Sequence, residues 1–421
     1  MKGEARSLWR IGKNTVALLS AQAWARLLSM VLVALVARVE GAEGLGRYLL
    51  VLTIVGIAGA LADAGLNIYL TREVARAGDT TRERELLGTV LPLKGGLAIA
   101  GASALVVLAA VAPFPPATAS LIPLGGLLLL TEAPIGAMRA FVNARQRMEV
   151  SSVIDMVIRL VALLAAIPAL NAELGIGGVL ACTIGASLLG IVAYVLVLRR
   201  WQARPHYQWS PGAWRTCLAE SYPFAVTSIA AMLYARFDLV LLGLWQGEVA
   251  VGWYGAAYKL WETMGMLPAS LFDAMFPEMS RLSSTRQGKE KLRRLFRAST
   301  WLMLAGGLVL ALLGALLADP LLSLIYGSQE NYAAAVLPFQ LLVGASPAMF
   351  LYLLSGHTLY ALDRQRRVTA AMLLVGVVNI TLNLIVIPRW GYIGCAAVAL
   401  LSEWLLCGLL YPQARRALAA Y

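Results

Sequence analysis

The sequence has little charge and few reactive side chains. Of its 421 residues 14% are charged, against roughly 25% in soluble globular domains, and 60% are hydrophobic. It holds four cysteines with no CxxC spacing and two histidines without a partner at metal-ligand spacing. No phosphate-binding loop of the GxxxxGK[ST] type occurs. These absences argue against a soluble domain, a metal or prosthetic group and direct use of ATP.

The sequence between the few charged residues consists mostly of long apolar runs. Runs of about 20 residues, the length of an α-helical bilayer crossing, recur along the whole chain. The sequence therefore predicts an all-α polytopic membrane protein. We expect twelve spans, at residues 15–37, 47–70, 88–112, 117–138, 152–170, 176–198, 217–243, 251–275, 298–317, 333–356, 368–387 and 392–411. The first run is too long for a signal peptide, so we expect it to be retained.

The basic residues alternate between the two sides of the predicted spans. Of 35 Lys and Arg, 28 fall in loops on one side, and Lys94 is counted among them just inside span three. The opposite loops hold only Arg38, Arg47 and Arg389. By the positive-inside rule we expect both termini in the cytoplasm. The net charge of +12 is thus explained by topology rather than by nucleic acid. The short outer loops leave no room for a catalytic domain, so we expect no enzymatic activity.

The sequence also contains an internal repeat. Gly46-Arg47-Tyr48 aligns with Gly252-Trp253-Tyr254 at an offset of 206 residues. Residues 73–85 match 278–290 at an offset of 205, and 175–188 match 391–404 at an offset of 216. The matches keep their order, which predicts two halves of six spans each, at 1–205 and 206–421. Because each half has an even number of spans, the halves are parallel repeats related by an axis along the membrane normal.

Four basic residues lie inside predicted spans: Arg26, Arg159, Arg236 and Lys259. Each costs about 2.5–3.5 kcal/mol on the membrane-insertion scale, so such residues usually line a cavity or pair with an acid. An arginine can engage two phosphate oxygens at once, whereas lysine offers a point charge. The four residues therefore predict a binding path for an anionic substrate.

Local spacing offers a structural alternative for two of these residues. Asp155 and Arg159 are spaced i, i+4, and Lys259 and Glu262 are spaced i, i+3. Either pair could close on one helix face and serve only the fold. Arg159 and Lys259 thus remain open between a binding role and a structural one.

Arg26 and Arg236 are the stronger predictions for substrate contact. Arg26 has no acid within helical reach, and Arg236 cannot face Asp238 two residues away. The acids in or near the spans predict either charge balance or the binding of a coupling H⁺ or Na⁺; these are Asp63, Glu132, Asp238 and Glu262. Expulsion of an anionic substrate by the membrane potential needs no coupling ion, since it gains about 2.3 kcal/mol per charge per 100 mV.

Several stretches resemble oligosaccharide flippases. They are GLGRYLLVLTIVGIAGALADAGL (44–66), YGAAYKLWETMGMLPASLFDAMFPEMSRL (254–282), IYGSQENYAAAVLPFQLL (325–342) and NITLNLIVIPRWGYIGCAAVALLSE (379–403). The chain is identified as similar to the Wzx-type flippases for O-antigen and exopolysaccharide, within the multidrug/oligosaccharidyl-lipid/polysaccharide exporter superfamily. The resemblance covers essentially the whole chain.

This resemblance implies a location in the bacterial inner membrane, a fold, a substrate and partners. The fold is the V-shaped arrangement of twelve helices in two six-helix bundles that multidrug extruders of the MATE type share. The substrate is an undecaprenyl-diphosphate-linked oligosaccharide, moved to the outer leaflet by alternating access for surface polysaccharide biosynthesis. A polysaccharide polymerase and a chain-length regulator are the implied protein partners. The chain lacks the two further helices usual in peptidoglycan-precursor flippases, which weighs against a lipid II role.

Three rival functions remain at this point. A cation-coupled multidrug exporter of the same fold would need an acidic cavity, whereas the best-supported span residues are basic. A membrane-embedded glycan polymerase or ligase commonly needs a large outer loop, which the predicted topology lacks. A scaffold without transport activity would have little use for Arg26 near mid-membrane.

Overall fold

The computed structural model describes the backbone of residues 2–207, 209–283, 286–327 and 330–419. The side chains of residues 1–23 and of Arg26 lie outside that description. The described residues form helices joined by short connections, with no strand among them, which confirms the predicted all-α class.

The α-helices are numbered in chain order, with a short 3₁₀ segment at Glu330–Ala335 between α10 and α11. Their bounds are α1 Lys2–Asp63, α2 Leu66–Arg76, α3 Thr80–Val111, α4 Pro116–Ala144, α5 Met148–Asn171, α6 Gly175–Arg200, α7 Pro211–Met264, α8 Met266–Ser283, α9 Arg286–Leu316, α10 Ala318–Tyr326, α11 Val336–Gly344, α12 Ser346–Ala361 and α13 Gln365–Ala419.

Local sequence signals set some helix ends. Asp79 is in an extended conformation before α3, and its side chain accepts a hydrogen bond of 3.1 Å from the Thr81 N–H. Such a cap satisfies one of the amide groups that a helix start leaves unpaired. Pro116 is the first residue of α4, where its missing N–H costs nothing. The polar connections thus end the apolar helices where the sequence predicts loops.

Three helices are much longer than one bilayer crossing. α1, α7 and α13 have 62, 54 and 55 residues. A straight helix of that size would measure about 80–90 Å, against about 30 Å for the hydrocarbon core. Each contains one non-helical glycine: Gly41 (φ 70°), Gly247 (φ 80°) and Gly391 (φ 54°). Glycine adopts positive φ without strain, so each long helix is broken at its glycine.

The broken positions recur at the offsets of the sequence repeat. Gly41 and Gly247 are 206 residues apart, and both combine a positive φ with an extended ψ, −168° and −176°. Gly391 corresponds in the same way to Gly175, 216 residues earlier, whose φ is 59°. The same backbone conformation at matching positions supports the internal repeat.

The chain divides into two compact units. The first contains residues 1–40 and 47–240, and the second contains 41–46 and 241–421. In the first unit α3 packs on α4, and α6 packs on both α4 and α5. Its core centres on fully buried side chains that include Leu87, Phe141 and Tyr194. In the second unit α12 packs against α8, α9 and α13. The domain boundary at 205/206 rests on the span count and stays a prediction.

Within the described residues, nine helices are long and apolar enough to cross a membrane. Their outward faces carry large apolar side chains that a water-soluble protein would bury. Val111 is 80% exposed, Leu316 69% and Val377 64%. In lipid such side chains meet a solvent as apolar as themselves, so they need no protein cover.

Two glycines of the second unit make reciprocal backbone contacts. A β-carbon on Gly46 would overlap the carbonyl of Glu248, and a β-carbon on Gly252 would overlap the carbonyl of Ala42. Gly46 corresponds to Gly252 in the repeat, and Ala42 corresponds to Glu248. The two contacts are therefore equivalent, and only glycine allows the backbones this close.

We expect Gly46→Ala and Gly252→Ala to destabilise the protein to a similar extent. A methyl group at either position must push a backbone carbonyl aside, which costs about 1–3 kcal/mol or more. Thermal unfolding of the detergent-purified variants measures the effect. Gly95→Ala in α3 is the control, because a β-carbon there meets nothing within 4 Å. Stability equal to that control in both variants would show that the contact is dispensable.

Candidate functional site

A polar cavity lies within the first unit. Its volume is about 240 Å³, and α1, α4, α5 and α6 form its walls. Its polar and aromatic lining comprises Ser29, Tyr48, Glu132, Arg139, Asp155, Arg159, Thr183 and Ser187. Four ionisable side chains thus share one small space inside helices that are otherwise apolar.

Helical spacing explains how these side chains reach the cavity together. Glu132 and Arg139 are seven residues apart on α4, which is two turns and the same face. Asp155 and Arg159 on α5 are four residues apart, as are Thr183 and Ser187 on α6. Three helices therefore each turn one polar face inward and place two polar side chains on it.

The carboxylate of Asp155 binds Arg139 across helices. The Nε of Arg139 lies 2.9 Å from Oδ2 of Asp155, and its Nη2 donates to Oδ1 at 2.9 Å. The hydroxyl of Tyr194 donates a further hydrogen bond of 3.3 Å to Oδ1. The alternative pairing of Asp155 with Arg159 on one helix face is thus wrong. A planar guanidinium on a neighbouring helix can bind both carboxylate oxygens in parallel.

Arg159 consequently projects into the cavity without that acid. Its side chain is exposed, and among the described residues no carboxylate forms an ion pair with it. It lies 11 residues beyond Met148, the start of α5, or about 17 Å along the helix axis. An arginine within a membrane-crossing helix is costly, so such a residue usually lines a cavity or has a partner.

A second ion pair lies deeper in the first unit. The Nζ of Lys94 is 2.7 Å from Oδ1 of Asp63 and 2.7 Å from Oδ1 of Asn67, and its side chain is only 3% exposed. A β-carbon on Gly136 would stand 3.1 Å from this Nζ. Counting Lys94 among the loop charges was therefore wrong: it is a buried side chain that balances Asp63. The absence of a β-carbon at Gly136 leaves space for the Lys94 ammonium group.

Glu132 has a different type of partner. The Ser187 hydroxyl donates a hydrogen bond of 3.0 Å to its Oε1. The positive charges of Arg139 and Lys94 act on it only through space. Glu132 is therefore the cavity acid whose direct hydrogen-bond donor is a neutral group.

Lys259, Arg236 and Asp238 are not among the residues that line this cavity. Lys259 pairs with Glu262 at 3.0 Å in the second unit, which confirms that predicted pairing. Arg236 is half-buried on α7 and has an interaction partner of its own. Asp238 is buried and accepts a hydrogen bond of 2.8 Å from the Leu239 N–H. The side chain of Arg26 lies outside the described part of α1.

Sequence reasoning missed two kinds of functional-site candidates. Arg139 was counted as a loop charge, although its spacing of seven from Glu132 places both on one face of α4. A buried polar network in the second unit was also missed. There the Asn379 side chain donates to Ser402 at 2.9 Å, and the Asn383 side chain donates to Asn379 at 3.1 Å. The spacing of four between the two asparagines was the available signal.

Comparison with known families decides what kind of chain this is. Residues 11–283, about two thirds of the length, match the family model described as polysaccharide biosynthesis protein. The chain belongs to the polysaccharide biosynthesis protein family. Residues 247–421 also match the model described as lipid II flippase MurJ. The family resemblance predicted from the sequence is thereby confirmed.

Two relatives from Haloferax volcanii match part of the chain. The probable low-salt glycan biosynthesis flippase Agl15 is 25% identical over 178 residues, which is 42% of this chain and 37% of the relative. The probable flippase AglR is 26% identical over 199 residues, which is 47% of this chain and 39% of the relative. The matched segment thus covers well under half the length of each relative.

Solved structures show the fold. Lipid II flippase MurJ in an inward closed conformation aligns with 94% of this chain and 87% of its own, with a TM-score of 0.76 and 13% identity. An inward-facing multidrug resistance MATE family transporter aligns with 96% of this chain and 98% of its own, with a TM-score of 0.72 and 14% identity. The chain is therefore a multi-pass membrane protein with a MATE-like fold.

We expect Lys94→Met to lower the free energy of unfolding by about 3–5 kcal/mol, because Asp63 would keep a charge without its cation. The double variant Lys94→Met/Asp63→Asn should recover most of this loss, since both charges are then gone. Thermal unfolding in detergent measures both. Arg82→Met is the control, because Arg82 is 63% exposed and its pairing with Glu85 at 3.4 Å is worth at most about 1 kcal/mol. Equal losses in the single and double variants would contradict the proposed charge balance.

Proposed function

We propose that the protein is a flippase that moves an undecaprenyl-diphosphate-linked oligosaccharide from the cytoplasmic to the outer leaflet by alternating access. Family membership and the flippase names of its relatives support transport of a lipid-linked glycan. The single observation that carries the proposal for this chain is Arg159, exposed in a polar cavity among the apolar helices of the first unit.

The cavity offers one cation for an anionic group, in a set of two basic and two acidic side chains. Arg139 and Asp155 neutralise each other, as Lys94 and Asp63 do beside them. Arg159 is thus the cavity cation that has no ion pair among the described residues, and its planar donors suit phosphate oxygens. Its attraction is strengthened by the low dielectric of the surrounding helices.

The size of the cavity limits what binds there. Its volume of about 240 Å³ is below the roughly 300–1,000 Å³ of sites that enclose a drug-sized ligand. A diphosphate fits this space, whereas an oligosaccharide does not. We therefore assign the cavity to the phosphate end of the carrier lipid. The sugars would need a separate wet space.

The finer membrane arrangement belongs to the same proposal. Twelve crossings result if α1, α7 and α13 each cross twice, turning at Gly41, Gly247 and Gly391. Two six-helix bundles related by a parallel repeat then follow, with both termini in the cytoplasm of a bacterial cell. A polysaccharide polymerase and a chain-length regulator would use the exported product.

Glu132 is the best candidate if an H⁺ or Na⁺ drives transport. Asp63 and Glu262 balance basic side chains, whereas Glu132 takes its direct hydrogen bond from a neutral hydroxyl. Protonation of Glu132 therefore breaks no ion pair. In the absence of coupling, the membrane potential alone supplies about 2.3 kcal/mol per charge per 100 mV.

A cation-coupled multidrug exporter is the second candidate function. The observation in its favour is the structural similarity to a multidrug resistance MATE family transporter. The presence of Glu132 in the cavity also fits a cationic ligand. Export of cationic dyes by cells that overproduce the protein would favour this function, whereas glycan transport without dye export would oppose it.

We expect Arg159→Ala to reduce lipid-linked oligosaccharide transport by about tenfold or more, which corresponds to the loss of one charge-assisted bond pair. Accumulation of the lipid-linked oligosaccharide in the cytoplasmic leaflet measures the loss. Arg147→Ala is the matched control: Arg147 precedes the same helix but is 64% exposed and paired with Glu149. Normal glycan export by Arg159→Ala would refute the assignment of the phosphate to this cavity.

Arg26→Ala and Arg236→Ala test the contacts predicted from the sequence. If either residue also binds the diphosphate, its variant should accumulate the same intermediate, while its thermal stability stays near that of the wild type. Unimpaired surface glycan export in both variants would remove these residues from the site and leave Arg159 alone in it.

A further inference from the structure

An exposed cluster of arginines in the second unit forms one continuous basic surface. Its members are Arg293 and Arg297 near the start of α9, and Arg415 and Arg416 near the end of α13. All four are exposed, and among the described residues none of them forms an ion pair. From 291 to 317, and from 404 to the end, the sequence contains no Asp or Glu.

A ring contact brings the two helix ends together. Phe296 of α9 stacks on Tyr411 of α13, with ring centroids 5.7 Å apart and planes 25° from parallel. Arg293 lies about one turn before Phe296, towards the start of α9, and Arg415 lies about one turn after Tyr411, towards the end of α13. The two arginine pairs therefore occupy one surface, although more than a hundred residues separate them in the chain.

Two nearby arginines are not part of this surface, because each forms an ion pair with a glutamate on its own helix. Arg294 pairs with Glu290 at 2.6 Å, and Arg281 pairs with Glu278 at 2.7 Å. The hydrogen bond from Arg281 also lowers the pKa of the Glu278 carboxyl. Arg281 and Arg294 are thus neutralised by acids on their own helices, whereas none of the four arginines of the surface is paired among the described residues.

The exposed face of α9 continues from arginine into apolar side chains. Arg297, Trp301, Leu308 and Leu312 follow one another at spacings of four, seven and four residues, which places them on one stripe. Trp301 is 67% exposed, Leu308 53% and Leu312 62%. The order of these side chains matches the layers of a lipid leaflet. Arginine suits the headgroup region, tryptophan suits the interface, and exposed leucines suit the acyl chains.

We propose that this surface binds the headgroup phosphate of an anionic phospholipid, whose acyl chain lies along the α9 stripe. Arginine pairs suit a phosphate because their planar donors engage several oxygens. Basic side chains next to a membrane surface each attract anionic lipid by about 1 kcal/mol, or about fivefold. The stripe supplies apolar contact for the hydrocarbon and fixes the lipid to a particular helix.

Fluorescence quenching of Trp301 tests this proposal. The protein is reconstituted in phosphatidylcholine vesicles that contain a minor fraction of either brominated phosphatidylglycerol or brominated phosphatidylcholine. The Trp301 signal is the difference between the chain and its Trp301→Phe variant. We expect brominated phosphatidylglycerol to quench this signal at least about threefold more than brominated phosphatidylcholine. Equal quenching by the two lipids would overturn the proposal.

Charge-matched variants separate this surface from general charge effects. The fourfold Gln variant at 293, 297, 415 and 416 should lose the preference for phosphatidylglycerol. A second fourfold Gln variant removes the same charge from exposed arginines elsewhere, namely Arg199, Arg200, Arg366 and Arg367, and should keep it. Retention by the first variant, or equal loss in both, would refute a specific site. The readout is lipid contact and not transport, so its result is independent of the transported substrate.

Discussion

Charge compensation inside an apolar helix bundle is the constraint on which the first unit depends. A side chain such as Lys94, 3% exposed, could not remain charged there without an acid beside it. The sequence meets this need with pairs that join different helices: Lys94 of α3 binds Asp63 of α1, and Arg139 of α4 binds Asp155 of α5. Each pair therefore also fixes how two helices pack.

Arg159 differs from the paired basic side chains around it, because no described carboxylate forms an ion pair with it. Two pairs of opposite charge cancel, so the electrostatic character of the cavity depends on the groups left over, Arg159 and Glu132. One is a fixed cation, and the other is an acid whose direct hydrogen-bond donor is neutral. Under the proposed function, these two side chains and not the shared fold determine which ligand the cavity accepts, because a fold alone leaves function open.

The sequence predicts the helices well because hydropathy depends on composition alone. Residues 176–198 were expected as a span, and α6 runs from Gly175 to Arg200. The partners of charged residues depend on which helices become neighbours, and spacing within one helix does not contain that information. Asp155 therefore could be matched to Arg159 but not to Arg139. The loop count likewise grouped Lys94 with the loop charges, because Lys94 is close to the start of span three and its partner Asp63 belongs to another helix.

The reciprocal contact of Gly46 and Gly252 has a consequence for how such a chain evolves. Two copies of a duplicated segment normally diverge separately, since a change in one leaves the other unaffected. Here each copy supplies the glycine that makes room for the carbonyl of the other. Selection at either position therefore acts on both copies together. In the predicted repeat, Gly46 and Gly252 are therefore constrained together, even where the other residues of the two segments have diverged.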